Sequence, residues 1–230
     1  MNIMEIQNVQ YAYDGKKKVL KGINAQMELG KMYAILGPSG CGKTTLLSLL
    51  GGLDSPSSGQ ILYQGEDIAK TGLANHRRSH VAFIFQSYNL IDYLTPMENV
   101  ALTSKLPPLP ILKQLGLTAE EAKRNVLKLS GGQQQRVAIA RALASDAQVI
   151  LADEPTGNLD EDTAVEITTI LKGSAHKSGK CVVIVTHSNE LAKEADVVFQ
   201  LRKGELQIFS ASNFEETAGQ KGRASKKNQR

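Results

Sequence analysis

What the chain lacks narrows its roles first. No apolar run reaches the ~18 residues that a spanning helix needs, so no segment is expected to cross a bilayer. The opening stretch MNIMEIQNVQ has no basic cluster leading into an apolar core; it alternates like a strand and does not read as a secretory signal. The expected compartment is therefore the cytosol. Cysteine is scarce. Cys41 and Cys181 stand far apart, match no metal or redox spacing, and are expected to be two unpaired thiols in a reducing compartment. There is no internal repeat and no coiled-coil stretch. Basic charge is also missing from where a nucleic-acid face would need it. Of 27 Lys and Arg, five (Lys221, Arg223, Lys226, Lys227 and Arg230) fall in residues 219–230, and the other 22 stand against 23 acids. The folded part is then close to neutral, and no nucleic-acid partner is expected. Residues 213–230 are read as a basic, disordered tail, with a weak pull toward anionic lipid as the alternative to plain solvation.

What is present suits one large domain with an inserted subdomain. The chain has 230 residues, 41% of them apolar, an ordinary supply for a core. The domain is expected over residues 1–212. Residues 3–9, 19–27, 32–36 and 61–63 read as short strands, with Asp14-Gly15 as a hairpin signal. Four later runs, 81–85, 149–152, 182–186 and 197–201, are nearly continuous in apolar residues, as strands buried on both faces should be. Helical patterns at 45–50, 133–144 and 163–174 lie between them. Strands alternating with helices predict an α/β fold with a mostly parallel core sheet, preceded by an antiparallel β subdomain. Residues 86–129 break that rhythm. They hold LPPLP at 106–110, which cannot be helical throughout and is read as a lead-in turn. Thr118-Ala-Glu-Glu121 reads as a capping box opening a helix to about Leu127. A small helical subdomain, about 87–144, is expected here between two core strands.

The chemistry begins at residues 37–44, GPSGCGKT, which fit G-x-x-x-x-G-K-[ST]. Gly37, Pro38, Ser39, Gly40, Cys41 and Gly42 form a loop whose glycines let the backbone wrap closely around phosphate oxygens. Its N–H groups and the following helix N-terminus supply partial positive charge. Lys43 would reach the β- and γ-phosphates, Thr44 would ligate Mg²⁺, and Thr45 belongs to the same nucleotide-binding turn. The apolar strand MYAIL before the loop and the helix TTLLSLL after it are the context that this mechanism demands. Residues 149–154, VILADE, form an apolar strand ending in carboxylates, where α/β sheets bind ligands. Asp153 is placed to hold Mg²⁺, and Glu154 to polarise an attacking water.

A third element, LSGGQ, starts at Leu129. Ser130, Gly131, Gly132 and Gln133 open a helix and make a second anion-binding N-terminus. Between a phosphate loop and an acidic strand end, it resembles the signature of ATP-binding cassette (ABC) ATPases. Tyr13 resembles the aromatic that stacks on adenine, although Tyr11 lies two residues away on the same strand. Gln86 resembles the Q-loop glutamine, GNLD ending at Asp160 the D-loop, and His187 the switch histidine. The resemblance covers residues 3 to about 210.

The resemblance implies a phosphate-loop NTPase of ABC type that hydrolyses MgATP. It implies a split site: each ATP sits between one cassette's phosphate loop and another's LSGGQ, so a second cassette is needed, with a homodimer as the simplest case. Gln86 would touch Mg²⁺ and the water region, and His187 the γ-phosphate. The stretches FQSYNLIDYLTPMENV and LADEPTGNLD resemble a branch of macrolide exporters, lipoprotein-releasing ATPases, a cell-division pair and bacitracin-resistance transporters. The chain would then sit peripherally on the inner face of the cytoplasmic membrane and power an integral-membrane permease. Efflux of, or resistance to, a drug, peptide or lipid-like compound is the expected outcome. Tyr88, Leu90, Tyr93 and Leu94 are candidates for the groove that receives the permease. The alternative is a soluble cassette that moves no solute, of the iron–sulfur-assembly type.

Overall fold

The computed structural model describes residues 2–13, 17–157, 159–210 and 212–214. The chain opens on two long strands, β1 (Asn2–Tyr13) and β2 (Lys17–Glu28), paired antiparallel from Asn2↔Glu28 to Tyr13↔Lys17. The Asp14-Gly15 signal lies outside the described residues. After β3 (Met32–Leu36) and α1 (Lys43–Leu50) come β4 (Ser58–Tyr63) and β5 (Glu66–Asp67). These complete a four-stranded sheet of order β2-β1-β4-β5. Two short helices, α2 (Ile68–Thr71) and α3 (Leu73–Ser79), lead to β6 (Val81–Ile84).

The insert follows with α4 (Pro96–Ala101) and α5 (Pro108–Gln114), and the chain regains the core through α6 (Gly131–Leu143). Then β7 (Val149–Asp153), α7 (Glu161–His176), β8 (Cys181–Thr186), α8 (Asn189–Lys193), β9 (Val197–Arg202) and β10 (Glu205–Ser210) close the fold. The second sheet has six strands in the order β10-β9-β3-β8-β7-β6. The neighbours from β9 to β6 run parallel, and β10 adds an antiparallel edge.

Period-two alternation divides this sheet between two cores. On β3, Tyr33 and Ile35 face one apolar cluster, while Met32, Ala34 and Leu36 face the other. On β8, Val183 and Val185 oppose Val182 and Ile184 in the same way. One cluster is shared with α1 and the four-stranded sheet, the other with α6, α7 and the insert. Burial on both faces is why these strands carry almost no polar residue until their C-terminal ends. The second cluster continues to Phe214, two residues past the expected boundary at 212; its ring meets that of Phe209.

The insert departs from its sequence reading in two places. The LPPLP stretch is not only a lead-in turn: α5 starts at Pro108, so Pro108 and Pro110 both fall in its first turn. The N–H groups of a first turn have no intrahelical acceptor, so losing them there costs little. The Thr118–Glu121 capping box forms, but no α-helix to Leu127 follows it. Two 3₁₀ turns, Glu121–Lys123 and Val126–Lys128, replace it. Tertiary bonds pull the chain out of the helix: Asn125 Nδ2 donates to Asp92 O at 3.0 Å, and Val126 N to Leu94 O at 3.1 Å.

Candidate functional site

Parallel order brings the C-terminal ends of β3, β7 and β8 to one edge of the sheet, where ligands of α/β folds bind. The loop from Gly37 to Gly42 leaves β3 and enters α1 there. Two of its positions need glycine. Gly42, capping α1, holds φ 105°, and a Cβ on Gly37 would lie 2.4 Å from Leu201 O. Lys43 is buried, and its Nζ donates to Gly37 O at 2.9 Å and Pro38 O at 3.2 Å. The ammonium is thus drawn into the ring of the loop. Cys41, half-buried, packs against the cluster beneath α1.

Across this edge Thr44 Oγ1 donates to Asp153 Oδ1 at 3.4 Å. Burial pushes the Asp153 carboxyl above its usual range; the Thr44 hydroxyl opposes that shift, Glu154 adds to it, and Lys43 opposes it. These two hard oxygens form a donor set that fits Mg²⁺, which takes one or two carboxylates and completes its shell with phosphate and water. Among the described residues no group of three or more His, Cys, Asp or Glu could make an all-protein cage. Gln86 is exposed just past β6, and its side chain makes no hydrogen bond to either oxygen.

Glu154 stands at φ 46°, left-handed for a residue that is not glycine. Three bonds hold it: its N–H on Val185 O at 3.0 Å, its carbonyl under Gly157 N at 3.1 Å, and its Oε1 accepting from His187 Nδ1 at 2.9 Å. The carboxylate is mostly buried (14% exposed), whereas the His187 ring is open (71%). The two residues expected to act on water are therefore joined at the adjacent ends of β7 and β8. His187 faces outward and is not a core histidine.

The two tyrosines differ in exposure. Both rings lie on one side of β1, edge to face 5.0 Å apart; Tyr11 is buried and bonds Asp54, while Tyr13 is 58% exposed with its hydroxyl 2.9 Å from Thr45 Oγ1. Only Tyr13 is open beside the loop.

Ser130, Gly131, Gly132 and Gln133 open α6 through a full capping box. Ser130 Oγ accepts from Gln133 N at 3.3 Å, and Ser130 N donates to Gln133 Oε1 at 2.9 Å. Among the described residues no hydrogen bond joins this turn to residues 37–45 of the same chain. Asp160 caps α7 by accepting from Thr163 N at 3.0 Å, which holds its carboxyl below the usual range.

The groove candidates disperse. Tyr88, at φ 61°, leaves so little space that a Cβ on Gly131 would lie 3.0 Å from its hydroxyl. Leu90 packs on the core and Tyr93 is 80% exposed. None of the four lines the concavity of about 620 Å³ between β6, α4 and α6, whose lining includes Phe83, Phe85 and Leu102. The sequence reading also missed Gln135 and Arg141, polar residues whose positions in α6 carry no motif of their own. Arg141 donates to Asn89 O at 2.7 Å and Tyr88 O at 3.2 Å, tying down the segment after Gln86.

With this geometry in view, the ABC transporter family model matches residues 20–157. An ABC transporter ATP-binding protein of Bacillus subtilis, YclH, is 44% identical over 219 residues, 90% of this chain and 97% of its own length. The macrolide export ATP-binding/permease protein MacB 2 of Aeromonas hydrophila is 41% identical over 89% of this chain, which spans 34% of that longer protein. The dimeric ABC transporter cassette MJ0796 superposes with a TM-score of 0.83 at 36% identity, covering 90% of this chain and 98% of the cassette. The same cassette in a post-hydrolysis state bound to ADP and Pi gives 0.82. These relatives do not favour a soluble cassette that moves no solute. The chain belongs to the ABC transporter family, as an ATP-binding subunit with ATPase activity.

Proposed function

We propose that residues 37–45 hold the phosphates of MgATP and that Glu154 and His187 carry out its hydrolysis. Lys43 neutralises β- and γ-phosphate oxygens, and Tyr13 stacks on the base. Thr44, Asp153 and Gln86 would hold Mg²⁺, which would supply charge neutralisation to the phosphates. Glu154 accepts the proton of the attacking water, and His187, bonded to that carboxylate, orients it and contacts the γ-phosphate. Ser130 to Gln133 and Asp160 serve the nucleotide of a second cassette, which two observations support. The signature turn makes no hydrogen bond to this chain's own loop, and the related cassette MJ0796 is a dimer.

The dimer powers a separate integral-membrane permease from the inner face of the cytoplasmic membrane. The likeness to macrolide export proteins supports efflux as its direction. Phe83, Phe85 and Leu102 are the better candidates for the permease contact: the two Phe rings stack 5.0 Å apart, and Leu102 is 55% exposed beside them.

The 2.9 Å bond between Glu154 and His187, beside the Thr44–Asp153 pair, carries this reading. Glu154→Gln tests it. The variant should bind ATP normally and lose about 10²-fold or more in turnover, the usual worth of a positioned base. Near-normal turnover would remove Glu154 from the role.

A further inference from the structure

Gln135 sits on α6 two residues past the signature and is 2% exposed. Its Nε2 donates to Pro155 O at 2.8 Å, while its Oε1 is buried without a hydrogen-bond partner. A methionine would fill the same space and leave no orphan acceptor. What the amide contributes is therefore its donor. The carbonyl it holds is in a telling place. Glu154 to Gly157 form a β-turn closed by Gly157 N on Glu154 O, with Pro155 preset for its second position. Pro155 O belongs to the central peptide, the unit whose rotation changes the turn's conformation. Gln135 thus fixes the turn that begins on Glu154, the residue at φ 46°.

The neighbouring side chain grips the far end of the same segment. Arg136 donates to Thr163 Oγ1 at 3.3 Å and pairs with Glu166 at 3.0 Å. Thr163 is the residue whose N–H Asp160 caps. Gly132 completes the contact: a Cβ there would lie 3.4 Å from Leu159 Cδ2. The first two turns of α6 thus touch Pro155, Leu159, Thr163 and Glu166 through Gln135, Gly132 and Arg136.

We propose that Gln135 is a positioning residue. Through Pro155 it sets the backbone of Glu154 according to where the Ser130 end of α6 lies. The base of one nucleotide site then responds to how this chain's signature engages the other site. The proposal rests on Glu154 being the base and on the signature serving the opposite nucleotide.

A double-mutant cycle on the full chain tests it, with ATP affinity, single-turnover hydrolysis and the Hill coefficient for ATP as readouts. Gln135→Met should bind ATP within about twofold of the parent, lose about tenfold or more in kcat with little change in KM, and lower the Hill coefficient, since misplacing a reacting group by ~1 Å costs up to 10²-fold. In a Glu154→Gln background the same change should cost less than about twofold, because residues acting as one unit are not additive. Unchanged kcat for Gln135→Met, or equal losses in both backgrounds, would overturn the positioning role alone. Normal turnover by Glu154→Gln would overturn the base assignment and this proposal with it. If Gln135→Met fails to bind nucleotide, Gln135→Leu, which also lacks the donor and leaves no orphan acceptor, goes through the same cycle.

Discussion

The edge of the parallel sheet and the helical insert are built on opposite principles. At the edge, every functional side chain hangs from a strand end or the helix that follows it. Neighbouring strands in fixed register set the spacing of Thr44, Asp153, Glu154 and His187. The insert has helices of six and seven residues, two 3₁₀ turns and side chains that substitute for backbone pairing. Asn99, fully buried, takes Ile91 N at 2.8 Å and donates to Ile91 O and Thr95 O. One region gets its precision from the sheet ladder. The other gets it from individual polar bonds, each of which can be lost alone.

The comparison can be broken most sharply at Lys43. Lys43→Ala removes the charge held inside the loop and should abolish tight ATP binding while the insert stays folded; equilibrium binding and far-UV circular dichroism check both. Ser130→Arg, at the junction with the insert, should do the reverse. The isolated chain should keep its ATP affinity and lose hydrolysis, and a loss of monomer binding would contradict the split-site reading.

Within the insert, Leu112→Ala opens a cavity at a fully buried position. It should lower unfolding stability by about 2–5 kcal/mol in urea titrations and leave ATP affinity near the parent's if the two regions are as separable as their construction suggests. Thr95→Ala removes the cap of α4, whose Oγ1 accepts from Glu98 N at 3.2 Å. Its expected cost is about 1 kcal/mol, without effect on nucleotide binding.

The two regions also differ in how legible they were. The strands of the parallel sheet announce themselves as unbroken apolar runs, and their ends move by only a residue or so from the expected 149–152 and 182–186. The insert misled because its signals are local and its structure is not. LPPLP carries a helix start because the first turn tolerates proline. Thr118 and Glu121 make their box and no α-helix follows, because Asn125 and Val126 are bound to a segment about thirty residues earlier.

The phosphate loop was written in the sequence alone, since its chemistry is that of contiguous backbone: glycines at φ values only they hold easily, then a lysine, then a helix start. Contiguous residues also specified the capping box at Ser130 and Gln133. Tertiary structure decided what depends on residues far apart in the chain. It bonded Thr44 to Asp153 and Glu154 to His187, buried Tyr11 while leaving Tyr13 exposed beside it, and set Gln135 against Pro155. A short motif fixes its own geometry because few dihedrals separate its atoms. Across 20 to 109 residues of chain only packing can fix a contact, and packing is a property of the whole fold.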